Sequence, residues 1–294
     1  MSKKKITLED TLIYAIFILL SLFILYPIWC ILSVSVTNAA EITQFGFTLW
    51  PKHLDLASYE YLLKDSGTIL KAYGTTISVA VVGTVIGCFT STLYAYVLSK
   101  RNFPLVKLFS FLLLFTMFFN GGMAASYIVN VSILNLKNSF WILVLPSAFG
   151  SVNVIIARAY FMQLPNSMIE SAKIDGADEY TIFGQLVFPL SKPAVATVCL
   201  TLFINYWNAY YEAMMYMDTG RYVTIQLLLQ RLMANVDFLK QYSSSDFAQM
   251  QLAQLPGDSL RMAVCAVIVI PVLLVFPRFQ KYFVKGMAIG SVKE

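Results

Sequence analysis

The sequence contains few of the residues on which catalysis and metal binding commonly depend. Its one histidine, His53, has no cysteine near it in the chain, and the four cysteines lie far apart in apolar stretches without a C-x-x-C pair. These cysteines are Cys30, Cys88, Cys199 and Cys265. Zinc sites and nucleophilic catalysis need clusters of thiol, imidazole or carboxylate groups. We therefore expect no metal site, no catalytic residue and no enzymatic activity in this chain.

Charged residues are scarce as well. They make up 13% of the 294 residues, whereas 58% are hydrophobic, and the mean hydropathy is +0.69. About a quarter of the residues in a soluble domain are charged, so this composition predicts an integral membrane protein. The net charge of +5 is not gathered into a basic cluster interleaved with aromatic residues, which argues against a nucleic-acid partner.

Six apolar segments are predicted to span the membrane. They cover approximately residues 12–36, 72–98, 108–131, 140–161, 194–211 and 260–283. The second segment is rich in small residues and should lie inside the bundle, since small residues let membrane helices approach closely. Lys3, Lys4 and Lys5 place the N-terminus in the cytoplasm by the positive-inside rule. The sequence thus predicts one all-α membrane domain, residues 1–294, with both termini in the cytoplasm.

A polar loop, residues 163–193, separates the fourth and fifth segments and must lie in water. Ser167 and Glu170 have the S-x-x-E spacing of a capping box, which predicts the start of a short helix. Gly176 is placed to be the C′ residue after that helix. A second short helix is predicted from about Asp178 to a stop at Pro189. Two short helices joined at a glycine form a feature that another protein could hold.

This loop resembles the EAA loop of ABC-importer permeases, which reads E-A-A, three residues, G, nine residues, then I-x-L-P. The matching positions are Glu170, Ser171, Ala172, Gly176, Leu186, Phe188 and Pro189, of which three carry similar residues in place of the family's own. In that family the loop is the coupling helix that docks into a cleft on the ATPase subunit. The resemblance implies the type I importer permease fold, a cytoplasmic coupling loop and a set of ATPase-coupling residues. That set is Glu170, Ser171, Ala172, Asp175, Gly176, Asp178, Leu186 and Pro189.

Further runs resemble the MalG-like carbohydrate branch of this superfamily, in particular the LplC/YtcP-like oligosaccharide permeases. They are FFNGGMAASYIV, LPSAFGSVNVIIARAYFMQLP, INYWNAYYEAMMY and QKYFVKGMAIGSVKE. The resemblance implies a bacterial plasma membrane, a second homologous permease, two ATP-binding subunits and an extracellular substrate-binding protein. ATP and Mg²⁺ would be bound by the partner ATPase, because the chain has no G-x-x-x-x-G-K-[ST] phosphate loop. The tail, residues 284–294, resembles an extension that reaches the ATPase interface through Lys285, Gly286 and Gly290, the alternative being a frayed terminus.

Polar and aromatic residues inside the apolar segments are candidates for a sugar path, since hydroxyl-rich ligands need amides, hydroxyls and flat rings. The candidates are Asn120, Tyr127, Asn205, Tyr206, Trp207, Asn208 and Tyr211. An aromatic belt at the membrane interface and interhelical hydrogen bonds remain alternatives. For the function, the alternatives are an ABC permease for a non-sugar solute such as a peptide, and a secondary transporter. The latter would need a carboxylate deep in a span and usually a repeat, and neither is evident in the sequence.

Overall fold

The computed structural model describes residues 8–64, 66–100, 102–218, 220–241 and 257–290. These residues form helices joined by short connections, with an isolated antiparallel bridge between Thr37 and Leu54. The helices are α1 (Leu8–Ser35), α2 (Ala39–Phe45), α3 (Ala57–Lys64), α4 (Ser66–Ser99), α5 (Val106–Phe118), α6 (Gly122–Ile133), α7 (Ser151–Phe161), α8 (Asn166–Ile174), α9 (Glu179–Leu190), α10 (Lys192–Asn208), α11 (Tyr211–Tyr216), α12 (Ile225–Gln241) and α13 (Gly257–Gly290). A short 3₁₀ turn, Phe140–Leu143, precedes α7.

Three of the described helices are long and apolar enough to cross a membrane: α1, α4 and the first part of α13, Gly257–Pro277. Two pairs of helices also qualify by length and composition when each pair is taken as one span, but both pairs are sharply bent, by 114° between α5 and α6 and by 83° between α9 and α10. The bend between α5 and α6 falls inside the predicted third span, between Phe118 and Gly122. The predicted fourth span contains only the 11 residues of α7 and the 3₁₀ turn. An all-helical membrane protein is confirmed, while the count of six spans stays a prediction.

Two helices extend beyond the predicted boundaries. α4 begins at Ser66, six residues before the predicted start of the second span, and α13 continues to Gly290 although the sixth span was predicted to end near residue 283. Residues 284–290 of the predicted tail, including Lys285, Gly286 and Gly290, therefore continue α13, and the contact of this tail with the ATPase stays a prediction. Glycine costs a helix only about 1 kcal/mol per residue, and no proline follows Pro277 to stop the helix. Residues 291–294 lie outside the described part.

The chain divides into two compact units, of which residues 70–228 and 272–294 form one. In that unit α4 packs closely on α10. A Cβ added at Gly83 would overlap the ring of Tyr206, and one at Gly87 would lie 2.9 Å from the carbonyl oxygen of Ala148. Within the apolar window of α4, 44% of residues are buried, against none in the window of α1. The prediction that small residues place the second span inside the bundle is confirmed.

The other unit comprises residues 1–69 and 229–271. Its longest helix, α1, is exposed along almost its whole apolar length, which fits a helix that faces lipid or a partner subunit. Asn38 caps the short helix α2 by accepting a hydrogen bond from the backbone N–H of Ala40 at 2.9 Å. The hydroxyls of Ser58 and Ser259 lie 2.9 Å apart in the buried part of this unit.

Candidate functional site

The polar loop folds into α8 and α9, joined by a turn at Gly176. Gly176 has φ +82°, its N–H donates to the carbonyl of Lys173 at 3.1 Å, and the N–H of Ala177 donates to the carbonyl of Ala172 at 2.9 Å. These two bonds together are the Schellman motif that ends a helix at a left-handed residue. A left-handed backbone favours glycine, which has no Cβ to clash. The predicted C′ position of Gly176 is confirmed.

The predicted capping box at the start of α8 is wrong. The N-cap is Pro165, whose ring offers no acceptor, and the helix already begins at Asn166. Ser167 and Glu170 consequently lie inside the first turns, and α8 has no side-chain cap at its N-terminus. Proline's restricted φ suits the residue that leads into a helix, and this outweighs the S-x-x-E spacing. Glu170 is exposed and faces a cavity instead of capping the helix.

α9 begins as predicted but ends later. Asp178 is its N-cap and accepts a hydrogen bond from the backbone N–H of Thr181 at 3.0 Å. Hydrogen bonds from the side chain and backbone of Thr181 lower the pKa of Asp178. The helix was predicted to stop at Pro189, yet it passes through this residue to Leu190 and breaks at Ser191. Proline disrupts a helix through its missing N–H and its ring, but its φ is helical, so one further residue can follow.

Two large apolar side chains are exposed at the tip of the loop. Ile174 ends α8 and is 86% exposed, and Tyr180 lies in the first turn of α9 and is 84% exposed. Between them lie the exposed residues Asp175 and Asp178. Another protein that covered the tip of the loop would bury both side chains, which is favourable for apolar groups. This pair was not among the predicted coupling residues, although an isoleucine and a tyrosine inside a polar stretch were the available signal.

The remaining coupling candidates lie on the two arms of the loop. Ser171 is exposed on α8, where Ala172 is half-buried and packs against the core. On α9, Leu186 and Pro189 are half-buried, and Leu186 also contacts the core cluster. The loop thus has an exposed polar and apolar tip and a base that packs on the membrane part of its own unit.

A carboxylate near the tip connects the loop to α4. Glu179 contacts the ammonium of Lys100, lies 3.1 Å from the Nζ of Lys173 and accepts a hydrogen bond from the hydroxyl of Tyr96 at 2.7 Å. These three partners of Glu179 all belong to the same chain. A cavity of about 290 Å³ lies beside this cluster. It is lined by Tyr96, Ser99, Lys100, Asn102, Phe161, Met162, Asn166, Ile169, Glu170 and Lys173.

A second cavity, of about 240 Å³, brings two of the path candidates together. It is lined by Asn120, Gly122, Met123, Ser126, Tyr211, Met215 and Tyr216. Asn120 sits in the break between α5 and α6, where its side chain accepts a hydrogen bond from the N–H of Gly122 at 2.9 Å. Tyr127, a further candidate, stacks on Tyr216 with ring centroids 5.7 Å apart. The bend at the break therefore places an amide, hydroxyls and two aromatic rings around one space.

The other path candidates, all on α10, do not line this cavity. Tyr206 is 1% exposed and donates its hydroxyl to the carbonyl of Val144 at 2.7 Å, and Trp207 is 3% exposed and stacks on Phe203. The structure places both rings in the core of the chain, which contradicts their assignment to a path. Asn205 and Asn208 are exposed, and Asn208 accepts a hydrogen bond from Gln226 at 3.2 Å. A search of the described residues finds no group of three or more metal-binding side chains.

Comparisons with known proteins agree with this arrangement. The family described as "Binding-protein-dependent transport system inner membrane component" matches residues 83–289. The polygalacturonan/rhamnogalacturonan transport system permease protein YtcP of Bacillus subtilis is 37% identical over 97% of this chain and 98% of its own length. Protein LplC of the same organism is 36% identical over 91% of this chain and 88% of its own length.

A solved structure is similar along nearly the whole chain. It is the crystal structure of a bacterial ABC transporter involved in the import of the acidic polysaccharide alginate, with a TM-score of 0.78 and 28% identity. The match covers 96% of this chain and 100% of the other. The chain belongs to the family of binding-protein-dependent transport system inner membrane components, the membrane permeases of ABC transporters.

Proposed function

We propose that this permease carries an oligosaccharide into the cytoplasm across the bacterial plasma membrane, and that ATP hydrolysis on partner subunits drives the transport. The names of YtcP and of the alginate transporter support a carbohydrate cargo, since both refer to polysaccharides. Their matches extend over nearly the whole length of each chain, so the likeness includes the cavity and the loop as well as the fold.

The partners follow from the family and from what this sequence lacks. A second homologous permease completes the membrane path, and two ATP-binding subunits bind ATP and Mg²⁺, for which this chain has no phosphate loop. An extracellular binding protein delivers the cargo. Both termini lie in the cytoplasm, on the same side as the loop formed by α8 and α9.

The observation that carries the coupling proposal is the exposed tip of the loop. Ile174 and Tyr180 are held out by a turn that the Schellman motif at Gly176 fixes. Burial of an exposed apolar side chain against a partner is favourable. The ATP-binding subunit is the partner that would bury these two. In this role Glu170, Ser171, Asp175 and Asp178 supply the polar rim of the docking surface. The residues beneath that rim, Ala172, Gly176, Leu186 and Pro189, shape the loop.

The cavity at the break between α5 and α6 is the part of this chain best suited to contact sugar. Asn120 offers an amide, Ser126 a hydroxyl, and Tyr211 a ring with a hydroxyl. Sugar sites combine such polar groups with flat rings. None of the described residues that line the cavity is charged, so contacts here would be made with hydroxyls and ring faces rather than with carboxylates.

Uptake by cells that lack this chain tests the proposal. Labelled oligosaccharides of galacturonate, alginate and maltodextrin, and a labelled tripeptide, are offered to the deletion strain and to the strain restored with the wild-type gene. We expect restored uptake of at least one oligosaccharide and no change for the tripeptide. Restored uptake of the tripeptide alone would favour the peptide permease instead.

A matched pair of variants then tests the cavity. Tyr211→Ala removes a ring from the lining, whereas Tyr210→Ala removes an exposed ring that lies next to it in the sequence and does not line the cavity. We expect the first to raise the KM for uptake roughly tenfold, the loss of about 1.4 kcal/mol, and the second to leave it unchanged. Equal effects of the two variants would exclude this cavity from the path.

A further inference from the structure

Glu179 connects three parts of the chain through one carboxylate. One oxygen lies 3.1 Å from the Nζ of Lys173 on α8, and the other accepts the hydroxyl hydrogen of Tyr96 at 2.7 Å and contacts the ammonium of Lys100. We call these four residues, Glu179, Tyr96, Lys100 and Lys173, the Glu179 latch. The latch joins both arms of the coupling loop to the end of α4.

Packing accompanies the polar contacts. The ring of Tyr96 lies 5.1 Å from the ring of Phe183 on α9, and the ammonium of Lys100 lies 4.4 Å from the centre of the Tyr96 ring. The side chain of Lys100 is only 23% exposed, whereas that of Glu179 is 51% exposed. Ion pairs this accessible to water contribute little to stability. What the latch provides is a fixed position of α9 against α4.

α4 extends from the latch through the depth of the membrane part. Twenty residues separate Tyr96 from Thr76, a distance of about 30 Å along a helix, and no proline interrupts them. Thr76 is fully buried, and its hydroxyl oxygen accepts a hydrogen bond from the N–H of Ile225 at 2.8 Å. Between these ends, Gly83 and Gly87 are in close contact with neighbouring helices. A push on the latch end of α4 therefore reaches the other end through a rigid element.

We propose that Glu179 is a positioning residue that transmits movement of the coupling loop to α4, and through α4 to the start of α12. This inference rests on the proposed function, because the movement begins when the ATP-binding subunits close on the loop. Without the latch, the loop would still dock on its partner but would move independently of α4.

The charges around Lys100 make the latch sensitive to pH. Burial, and next the positive charge of Lys173, lower the pKa of Lys100 to about 8. The groups that face Lys100 are Tyr96 on α4, Lys173 and Glu170 on α8, and Glu179 on α9. As the pH rises through about 8, Lys100 loses its proton and its charge attraction to Glu179, while the hydrogen bond from Tyr96 remains.

The test uses the complete transporter in detergent, purified with its ATP-binding subunits, after the four native cysteines have been replaced. A cysteine at Ile174→Cys reports docking of the loop tip, and one at Lys71→Cys reports movement at the far end of α4, about 43 Å from Lys100 along the helix. The rate of maleimide labelling is measured at each site without nucleotide and with ATP, Mg²⁺ and vanadate. Each cysteine is introduced alone, so that the two signals stay separate.

In the wild-type background we expect protection of Cys at position 174 and a several-fold change in labelling at position 71 when nucleotide is added. Glu179→Gln should keep the protection and abolish the change at position 71. The exchanged pair, Lys100→Glu with Glu179→Lys, should restore most of that change, because the two residues again carry opposite charges and attract each other. Lys107→Met, which removes an exposed lysine on α5, is the matched control and should behave as wild type.

The possible failures are distinguishable. Absence of protection at position 174 in the wild-type background would contradict the docking role of the loop, and so the proposed function. Protection with an unchanged nucleotide response at position 71 in Glu179→Gln would overturn the latch alone. Protection with no response at position 71 even in the wild-type background would likewise overturn it, since no movement would then travel along α4.

Discussion

A single substitution at Gly176 should change the conformation of the loop and leave the rest of the fold unchanged. Gly176 has φ +82°, and a Cβ built on it meets no atom within 4 Å. A side chain added here causes no steric clash, so its whole effect comes from the backbone conformation. Gly176→Asn, Gly176→Ala and Gly176→Pro form a series of increasing conformational cost.

The magnitude follows from the left-handed conformation. This conformation costs an ordinary L-residue about 1–2 kcal/mol, and it costs asparagine less. Nine-residue helices such as α8 are unstable in isolation, and α8 has no buried residue. Packing therefore gives the loop little stability to offset that cost. Alanine should lower the population of the docking conformation about 5- to 30-fold. Proline fixes φ near −65° and removes the N–H that donates to Lys173, and should abolish it.

The assay is the initial rate of carbohydrate uptake, normalised to the amount of permease in the membrane. We expect the order wild type, Asn, Ala, Pro, with uptake by the proline variant lost and membrane insertion unchanged. Gly184→Ala is the matched control, because this glycine is on α9 with a free space around it and no positive φ, and alanine favours a helix. Normal uptake by Gly176→Pro would refute the proposal that the loop couples ATP hydrolysis to transport.

Three further predictions concern the membrane part and the latch. Gly83→Ala should destabilise the protein by about 1–3 kcal/mol, because its Cβ would overlap the buried ring of Tyr206. The control Gly74→Ala, whose Cβ would meet no atom within 4 Å, should leave the thermal unfolding temperature in detergent unchanged. Equal unfolding temperatures of the two variants would contradict this packing. The sulfur atoms of Cys88 and Cys199 lie 3.0 Å apart. Copper phenanthroline, which takes one electron from each thiol as both lose a proton, should therefore join them in a disulfide. Peptide mass spectrometry that finds only free thiols would argue against the contact. Because the pKa of Lys100 is lowered from 10.5 to about 8, the nucleotide-dependent change in labelling at position 71 should fall as the pH rises from 7 to 9. Lys100→Arg, which stays charged, should retain that change. Parallel pH profiles of the wild-type protein and Lys100→Arg would exclude this lysine as the cause. The same lowered pKa means that the unfolded chain binds more protons between about pH 8 and 10.5, so this group makes the free energy of unfolding rise with pH in that window.

Local sequence signals predicted those features that depend on the residues beside them. Gly176 ends α8 because the left-handed turn is a property of a few neighbouring residues. The small residues of α4 predicted close packing for a similar reason, since a helix without bulky side chains can approach its neighbours. The capping box failed at the same local level, because Pro165 competed with Ser167 for the start of α8 and the spacing rule does not include that competition.

Features that depend on distant parts of the chain could not be predicted in this way. Glu179 and Tyr96 are 83 residues apart in the sequence, and nothing near either residue indicates the other. Tyr206 and Trp207 belong to an aromatic run that fits a sugar path and a packed core equally well by composition. Only the position of α10 against α4 decides between them, because Gly83 leaves the space that the ring of Tyr206 fills.

The uncharged lining of the cavity between α5, α6 and α11 has a consequence for cargo selection. Desolvation of a carboxylated sugar is costly unless a charged or hydrogen-bonding group meets it, and the described lining offers one amide, hydroxyls and rings but no cation. If the cargo is acidic, its charge must be met by the binding protein or by the partner permease. Tyr211→Ala should then weaken uptake of acidic and neutral oligosaccharides by the same factor, because a ring face contacts both alike. Exchange of the binding protein, with this chain unchanged, should alter the preference between them. A Tyr211→Ala variant that lost only the acidic cargo would place charge recognition within reach of this cavity and contradict that division of roles.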